Sequence, residues 1–156
     1  MAKPDKNLSE WIDELDNSEL MAITLGELIE TRAAESPDTE ALVYSNQPGV
    51  DDIRWTYKDL NEMSTNLAKA FLDVGFKPGD TVGVWGPNHP EWILSEYALA
   101  KAGLRIVTLN PLYKDQELIF ALNTVSAVAI LHAEAIGEIK CLDVINKIKN
   151  EIPSLK

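Results

Sequence analysis

The residues of this sequence that could do chemistry are few, and their spacing fits no catalytic motif. His89 and His132 are the only histidines, and Cys141 is the only cysteine. Neither histidine stands at a recognisable motif spacing from a nucleophile or a carboxylate, and no metal-ligand spacing occurs. A single cysteine forms no intrachain disulfide, which fits a reducing compartment. We therefore predict structural roles for all three residues, and we assign no catalytic and no metal-binding residue.

Glycines that could cradle a phosphate are the next candidates. Gly79, Gly83 and Gly86 are spaced four and three residues apart, so neither G-x-G-x-x-G nor G-x-x-x-x-G-K-[ST] is present. Gly83 falls inside a predicted strand, where close packing or a bulge explains a glycine. The segment 86–88 follows a strand and opens a helix, where backbone N–H groups gather. We favour a plain strand-to-helix turn there and assign no cofactor-binding residue.

Three aromatic side chains lie close to this turn in the sequence. Trp85, Trp92 and Tyr97 lie within a predicted strand and the helix that follows it. Large aromatic side chains at such positions usually pack between a sheet and a helix. We favour that core role, and stacking against a ligand is the alternative.

The charge of the chain excludes one class of partner. The net charge is −11, and residues 1–40 alone carry eleven acidic and three basic side chains. Nothing basic enough to neutralise phosphates is present, which argues against nucleic-acid binding. No apolar run approaches the roughly 18–20 residues that span a bilayer. The acidic first 20 residues resemble neither a secretory signal nor an Arg-rich mitochondrial presequence, so we expect a cytoplasmic location.

Alternating helix and strand patterns predict the elements that would position these residues. The predicted strands are 41–45, 53–56, 81–85, 105–109 and 127–131. The predicted helices are 24–36, 56–74, 88–102, 114–125 and 137–150. Crossovers of this length require parallel strand pairing and right-handed connections. The sequence therefore predicts an α/β fold, a parallel doubly wound sheet with an antiparallel hairpin near one edge.

Several packing details follow from the same patterns. Strand 127–131 is apolar throughout, which predicts that both of its faces are covered. Asn88 is the predicted N-cap of its helix, which places His89 in the first helical turn. Apolar residues at helical spacing predict the inward faces of three helices. These are Leu25, Leu28 and Ile29; then Leu60, Met63, Leu67, Ala70, Phe71 and Val74; then Leu142, Ile145 and Ile148.

Two regions are expected along the chain. Residues 1–22 form an acidic arm, loosely packed on the surface or folded as a short helix. The apolar residues of the arm are Trp11, Ile12, Leu15, Leu20 and Met21. Residues 23–156 form one compact domain, since 156 residues are too few for two ordinary ones.

Four ordered elements carry a resemblance to a known family. They are Trp-Thr-Tyr-Lys-Asp-Leu at 55–60, Gly-Phe-Lys-Pro-Gly-Asp at 75–80, Trp-Gly-Pro-Asn-His-Pro-Glu-Trp at 85–92, and Leu-Ala-Lys-Ala-Gly at 99–103 with Leu-Asn-Pro-Leu-Tyr at 109–113. With these elements, residues 24–154 resemble the N-terminal part of the AMP-forming acyl-CoA synthetases, the adenylate-forming superfamily. The third and fourth elements are similar to the branch called acyl-CoA synthetase family member two, whose members activate medium-chain fatty acids.

The resemblance implies a two-step ligase reaction in the complete enzyme. A fatty-acid carboxylate attacks ATP to give an acyl-adenylate and pyrophosphate, and the thiol of coenzyme A then displaces AMP. The family supplies ATP, Mg²⁺ and coenzyme A contacts from a Ser/Thr/Gly-rich loop ending Pro-Lys-Gly, a Tyr-Gly-x-Thr-Glu element, a ribose-binding Asp and a C-terminal lysine. None of these elements occurs in the sequence, so no catalytic or nucleotide-binding residue carries over. The family also implies a mitochondrial location as an alternative.

Residues 23–156 are therefore expected to be the N-terminal portion of an AMP-binding domain, cut before its phosphate loop. The leading hypothesis is a fragment of a fatty-acid–CoA ligase that is inactive alone and binds no cofactor. The alternative is a non-catalytic regulatory module that associates with a full-length synthetase. In either case, we expect an exposed sheet edge to pair with the rest of a synthetase or with a second copy.

Overall fold

The computed structural model describes residues 21–45 and 51–156, and alternating helices and strands fill these ranges. The helices are α1 (Leu25–Glu35), α2 (Tyr57–Val74), α3 (Pro90–Lys101), α4 (Asp115–Thr124) and α5 (Cys141–Ile148). The strands are β1 (Glu40–Tyr44), β2 (Ile53–Thr56), β3 (Thr81–Trp85), β4 (Arg105–Leu109), β5 (Ala129–His132), β6 (Ala135–Ile136) and β7 (Ile139–Lys140). A 3₁₀ turn, Lys149–Glu151, follows α5. Residues 1–20 of the predicted arm 1–22, and residues 46–50 between β1 and β2, lie outside the described residues.

Three of the strands form the parallel sheet that the crossovers predict. The strand order is β4-β3-β5, and both pairings with β3 are parallel. Strands β1 and β2 form a separate antiparallel hairpin. The α/β class, the parallel sheet and the hairpin are thus confirmed.

Strand β3 is the centre of the domain, because all five of its residues are buried. Val82 and Val84 face a cluster formed with α2 and α3. Trp85 faces a second cluster formed with α4 and α5. Alternate side chains of a strand point to opposite faces, so one short strand anchors both helical layers.

Gly83 occupies the tightest position in this strand. An added Cβ would lie 3.0 Å from Leu122 Cδ2 and 3.2 Å from Leu109 Cδ1. Both leucines are buried in the second cluster. A larger residue would therefore separate β3 from α4, and the close-packing interpretation of this glycine is confirmed.

Capping boxes fix the beginning of two helices. The Thr24 hydroxyl accepts from the Glu27 amide at 3.2 Å, and the Glu27 carboxylate accepts from the Thr24 amide at 2.7 Å. Thr56 and Asp59 repeat this exchange at the start of α2. The backbone hydrogen bonds lower the pKa of both carboxyl groups. Gly75 ends α2 in the left-handed conformation with φ 106°, as expected for a glycine past a helix end.

A buried lysine joins the first three helices. Lys101 in α3 has a side chain only 7% exposed, and its ammonium donates to Asn61 Oδ1 at 2.6 Å and to Thr65 Oγ1 at 2.7 Å in α2. Glu30 of α1 lies 3.8 Å away. Burial lowers the pKa of Lys101, and the Glu30 charge acts against this. The three hydrogen-bond donors of an ammonium thus tie neighbouring helices at one point.

Some predicted inward faces are wrong. On α2 the buried residues are Leu60, Ser64, Ala68 and Phe71, and Ala70 and Val74 are exposed. The buried face of α2 thus includes the small residues Ser64 and Ala68, and Ala68 packs in the cluster that contains α3 residues. On α1, Leu25 is 48% exposed and Gly26 is buried instead, so that an added Cβ at Gly26 would lie 3.1 Å from Lys101 Cγ.

The boundaries of two later elements also differ from the prediction. The predicted helix 137–150 begins only at Cys141, because β6 and β7 form a short hairpin across Gly137. Leu142 then points outward at 55% exposure. Strand β5 begins at Ala129 rather than at 127. Its two faces are covered, because Ala129 and Leu131 pack on the cluster of α2 and α3 and Ile130 packs on the cluster of α4 and α5, although each of these residues is only half-buried.

The substitution Gly83→Val tests the packing of β3. We expect it to lower the free energy of unfolding by about 1–3 kcal/mol, because the added methyl groups overlap buried leucines. Ala70→Val adds methyl groups at an exposed position of α2 and should cost less than about 1 kcal/mol. Urea unfolding followed by circular dichroism measures both values. Equal losses for the two variants would contradict the packing account.

Candidate functional site

A cleft opens where β3 and β5 end. Its volume is about 620 Å³. Its wall is formed by the end of β3, the turn after it, the first two turns of α3, and the segment after β5. The lining residues are Val84, Trp85, Gly86, Pro87, His89, Glu91, Trp92, Ser95, Leu131, His132, Ala133, Glu134 and Ala135. In open parallel sheets, ligands bind outside the carboxyl ends of the strands, which is the position of this cleft.

The turn after β3 determines the shape of this cleft. Gly86 lies close to the segment after β5, so an added Cβ would be 3.2 Å from Ala133 Cβ. The Ala133 amide donates to the Trp85 carbonyl at 3.0 Å, which extends the sheet pairing to the cleft floor. Pro90 occupies the first position of α3, where its missing N–H costs nothing. The strand-to-helix turn predicted for 86–88 is therefore present.

The helix begins one residue later than predicted. His89 is the N-cap of α3, with extended backbone and no side-chain capping bond, and Asn88 is exposed. Tyr44 of β1 approaches the imidazole, with its hydroxyl 3.4 Å from His89 Nδ1 and the ring centroids 5.8 Å apart. This contact joins the hairpin to the rim of the cleft. Because the His89 side chain makes no capping hydrogen bond, its ring can contact the Tyr44 ring.

The second histidine lies on the opposite rim. His132 ends β5 and is exposed. Its Nδ1 lies 2.8 Å from the Ala133 carbonyl. Glu91 and Glu134 also line the cleft, so each rim carries one imidazole and one carboxylate. Side chains of this kind can donate to, accept from and orient a polar ligand.

The floor of the cleft is apolar and aromatic. Trp85 is 1% exposed, and its indole N–H donates to the Asn110 carbonyl at 3.2 Å. This bond links the end of β3 to the turn that follows β4. Trp92 is half-buried and packs against the cluster of α2 and α3. The core role predicted for both tryptophans is confirmed, and one face of the cleft is built on them.

Other predicted candidates lie away from the cleft. Gly79 belongs to the turn before β3, where its carbonyl accepts from Arg105 Nε at 2.8 Å. Tyr97 is half-buried on α3, and burial raises its pKa. Cys141 is fully buried in the second cluster, and burial raises the pKa of its thiol. Such a thiol is a small core side chain rather than a nucleophile.

Sequence reasoning missed the carboxylates of the cleft. Glu91 and Glu134 are separated by 43 positions and belong to no motif, so only the parallel pairing of β3 with β5 brings them to one edge. Ser95 is also at the wall, and its hydroxyl donates to the Glu91 carbonyl at 2.7 Å. Within residues 21–45 and 51–156, no group of three or more His, Cys, Asp or Glu side chains could hold a metal ion. Among these same residues, no helix is long and apolar enough to cross a membrane.

A comparison with protein families identifies the class of protein to which this sheet and cleft belong. A family model described as "AMP-binding enzyme" matches residues 29–155. The chain therefore belongs to the AMP-binding enzyme family. The resemblance predicted from the ordered motifs is thus confirmed.

Among individual relatives, the chain is similar to "Medium-chain acyl-CoA ligase ACSF2, mitochondrial" from Mus musculus. The two are 32% identical over 142 residues, which is 91% of this chain and 22% of the relative. The protein of the same name from Danio rerio is 35% identical over 121 residues, 78% of this chain and 19% of the relative. The chain thus spans about a fifth of the length of the curated relatives it matches.

Solved structures agree with the fold. The inhibitor-bound N-terminal domain of FACL13 from Mycobacterium tuberculosis superposes with a TM-score of 0.73 at 25% identity, covering 85% of this chain and 32% of that domain. Acetoacetyl-CoA synthetase from Streptomyces lividans superposes with a TM-score of 0.76 at 22% identity, covering 86% of this chain and 21% of that enzyme. The second similarity establishes the fold alone. The described residues therefore correspond to the N-terminal region of adenylate-forming enzymes.

The substitution Trp85→Phe tests how the cleft floor is held. It removes the indole donor to Asn110 and leaves space in a fully buried position. We expect a loss of about 1–3 kcal/mol in the free energy of unfolding. Trp92→Phe, at a half-buried position, is the matched control and should cost less. Urea unfolding decides between them, and a larger loss for Trp92→Phe would contradict this description of the floor.

Proposed function

We propose that this chain is the N-terminal part of an AMP-forming, medium-chain fatty-acid–CoA ligase. The observation that carries the proposal is the family match over 29–155, together with relatives named medium-chain acyl-CoA ligases. The complete enzyme joins a fatty acid to coenzyme A with ATP and Mg²⁺. A mitochondrial location follows the names of those relatives.

The proposed reaction has two chemical steps. A carboxylate oxygen of the fatty acid attacks the α-phosphorus of ATP, and the bond to pyrophosphate breaks. The thiol of coenzyme A, after losing its proton, then attacks the acyl carbon and releases AMP. Both steps gather negative charge on phosphate oxygens, which requires cationic and hydrogen-bonding groups. The sequence elements that supply these groups in the family do not occur in this chain, so we propose that the chain alone does not catalyse either step.

The contribution of this chain is a rigid wall beside the reacting centre. Strand β3 is buried on both faces, and Trp85 and Ala133 hold the two loops at its carboxyl end. The cleft there presents two imidazoles and two carboxylates above an aromatic floor. We propose that this wall borders the substrate site of the complete enzyme. A rigid element positions such groups better than a loop does.

A graft of this chain into a relative tests the ligase proposal. Replacing the matching region of the mouse ligase with residues 24–154 should leave activity within about tenfold of the parent enzyme. The assay is the formation of octanoyl-CoA from octanoate, ATP and coenzyme A. The same graft carrying Gly83→Val is the matched control and should lose activity and stability together, because the added methyl groups overlap Leu122 and Leu109. A stable, correctly folded graft without activity would contradict the proposal.

The isolated chain is tested in the same assay. We expect no pyrophosphate release above the buffer background at any concentration of octanoate, ATP and coenzyme A. Release that depends on octanoate and rises with the amount of chain would show that the chain is itself an enzyme.

A second candidate function is supported by one observation, the unpaired edge of β5. Among the described strands, β5 pairs only with β3. Through this edge, the chain would associate with a full-length synthetase as a non-catalytic regulatory module. Co-purification of a full-length ligase at a fixed ratio, with altered turnover, would favour this function over that of a fragment.

A further inference from the structure

The cleft at the carboxyl ends of β3 and β5 carries negative charge without a matching cation. Among the described residues that line it, Glu91 and Glu134 are carboxylates and none is a lysine or an arginine. Both residues are exposed, and neither forms an ion pair within the described part of the chain. The positive end of the α3 dipole does not reverse this charge, because Glu91 itself occupies the first turn of that helix. A phosphate or a carboxylate would therefore meet like charge here, and the cleft favours a cation.

The two carboxylates stand on opposite rims, with an apolar floor between them. Glu91 belongs to the rim formed by α3, and Glu134 follows β5 on the other rim. The floor contains Trp85, Trp92 and Leu131. Because Trp92 and Leu131 are only half-buried, apolar surface remains open to the cleft. This arrangement of charge and apolar surface matches a molecule with two cationic ends and an apolar spacer.

The rim of Glu134 also offers an acceptor from an imidazole. His132 Nδ1 lies 2.8 Å from the Ala133 carbonyl, and a carbonyl only accepts, so Nδ1 carries the proton of the neutral ring. The Nε2 atom is then an acceptor, and His132 lines the cleft. A carboxylate and an imidazole nitrogen on one rim suit the three N–H donors of a primary ammonium group. These acceptors favour a primary amine over a quaternary ammonium group, which has no donor.

We propose that this cleft binds an α,ω-diamine, a linear alkane with a primary ammonium group at each end. One ammonium group pairs with Glu91 and the other with Glu134, and the methylene chain lies across the apolar floor. The exposed part of Trp92 adds an attraction between the indole ring and a cation. A cleft of about 620 Å³ has room for such a chain. The diamine is a ligand additional to the ligase substrates, which carry phosphates or a carboxylate.

Titration of the unmodified chain with hexamethylenediamine tests the site. At low ionic strength, we expect saturable shifts of the backbone amide resonances of Glu91, Trp92 and Ala133. Hexylamine has one ammonium group and should bind at least about tenfold more weakly, because the second ammonium group of the diamine binds intramolecularly. Equal affinities of the two amines would overturn the proposal. The lack of saturable shifts with every diamine from tetramethylene to octamethylene would overturn it as well.

Hexanoate separates this site from the ligase proposal, because it has the same chain length with a carboxylate in place of an ammonium group. We expect no saturable shift of the cleft resonances with hexanoate, since its charge has the same sign as that of Glu91 and Glu134. Saturable binding of hexanoate there would overturn the diamine site and would support a fatty-acid role for the cleft.

The substitutions Glu91→Gln and Glu134→Gln test the two ends of the site separately. Each removes one charge at an exposed position and should weaken diamine binding at least about fivefold, toward the affinity of hexylamine. Glu62→Gln, at an exposed position of α2 outside the cleft, is the matched control and should weaken binding less than about twofold. Equal effects of the three substitutions would show a general attraction to the net charge of −11 and would overturn the proposal.

Discussion

The burial of β3 on both faces is the constraint on which the rest of the structure depends. Val82 and Val84 on one face and Trp85 on the other connect two clusters that share no other fully buried strand among the described residues. The lack of a side chain at Gly83 allows Leu122 and Leu109 to reach the strand. The helical crossovers connect β3 to β4 and β4 to β5, the two strands that pair with β3. The carboxyl end of β3 forms the floor of the cleft.

Local sequence signals predicted most of the fold because they act over a few residues. The predicted helices 24–36 and 56–74 and the predicted strand 81–85 each have a short-range physical cause, namely the capping residues Thr24 and Thr56, the left-handed Gly75 and a run of apolar residues. Their order along the chain requires parallel pairing, so the sheet follows as well. The four ordered motifs predicted the family for a related reason. They mark the turns and strand ends of this same framework.

The details that could not be predicted depend on contacts between distant elements. The Lys101 ammonium donates to Asn61 and Thr65, which precede it by 40 and 36 positions, and this contact joins α3 to α2. The cleft carboxylates lie far apart in the sequence and meet only through the pairing of β3 with β5. The β6–β7 hairpin was missed because two-residue strands have almost no periodicity. None of these contacts produces a recognisable pattern among neighbouring residues of the sequence.

The central claim is that this chain is the N-terminal part of a fatty-acid–CoA ligase. The most direct test is the mass of the endogenous protein captured by an antibody against residues 1–22, with mass spectrometry of its peptides. The account predicts a species several times heavier than 17.3 kDa, with peptides from a Ser/Thr/Gly-rich loop ending Pro-Lys-Gly. A single species near 17.3 kDa without such peptides would contradict it.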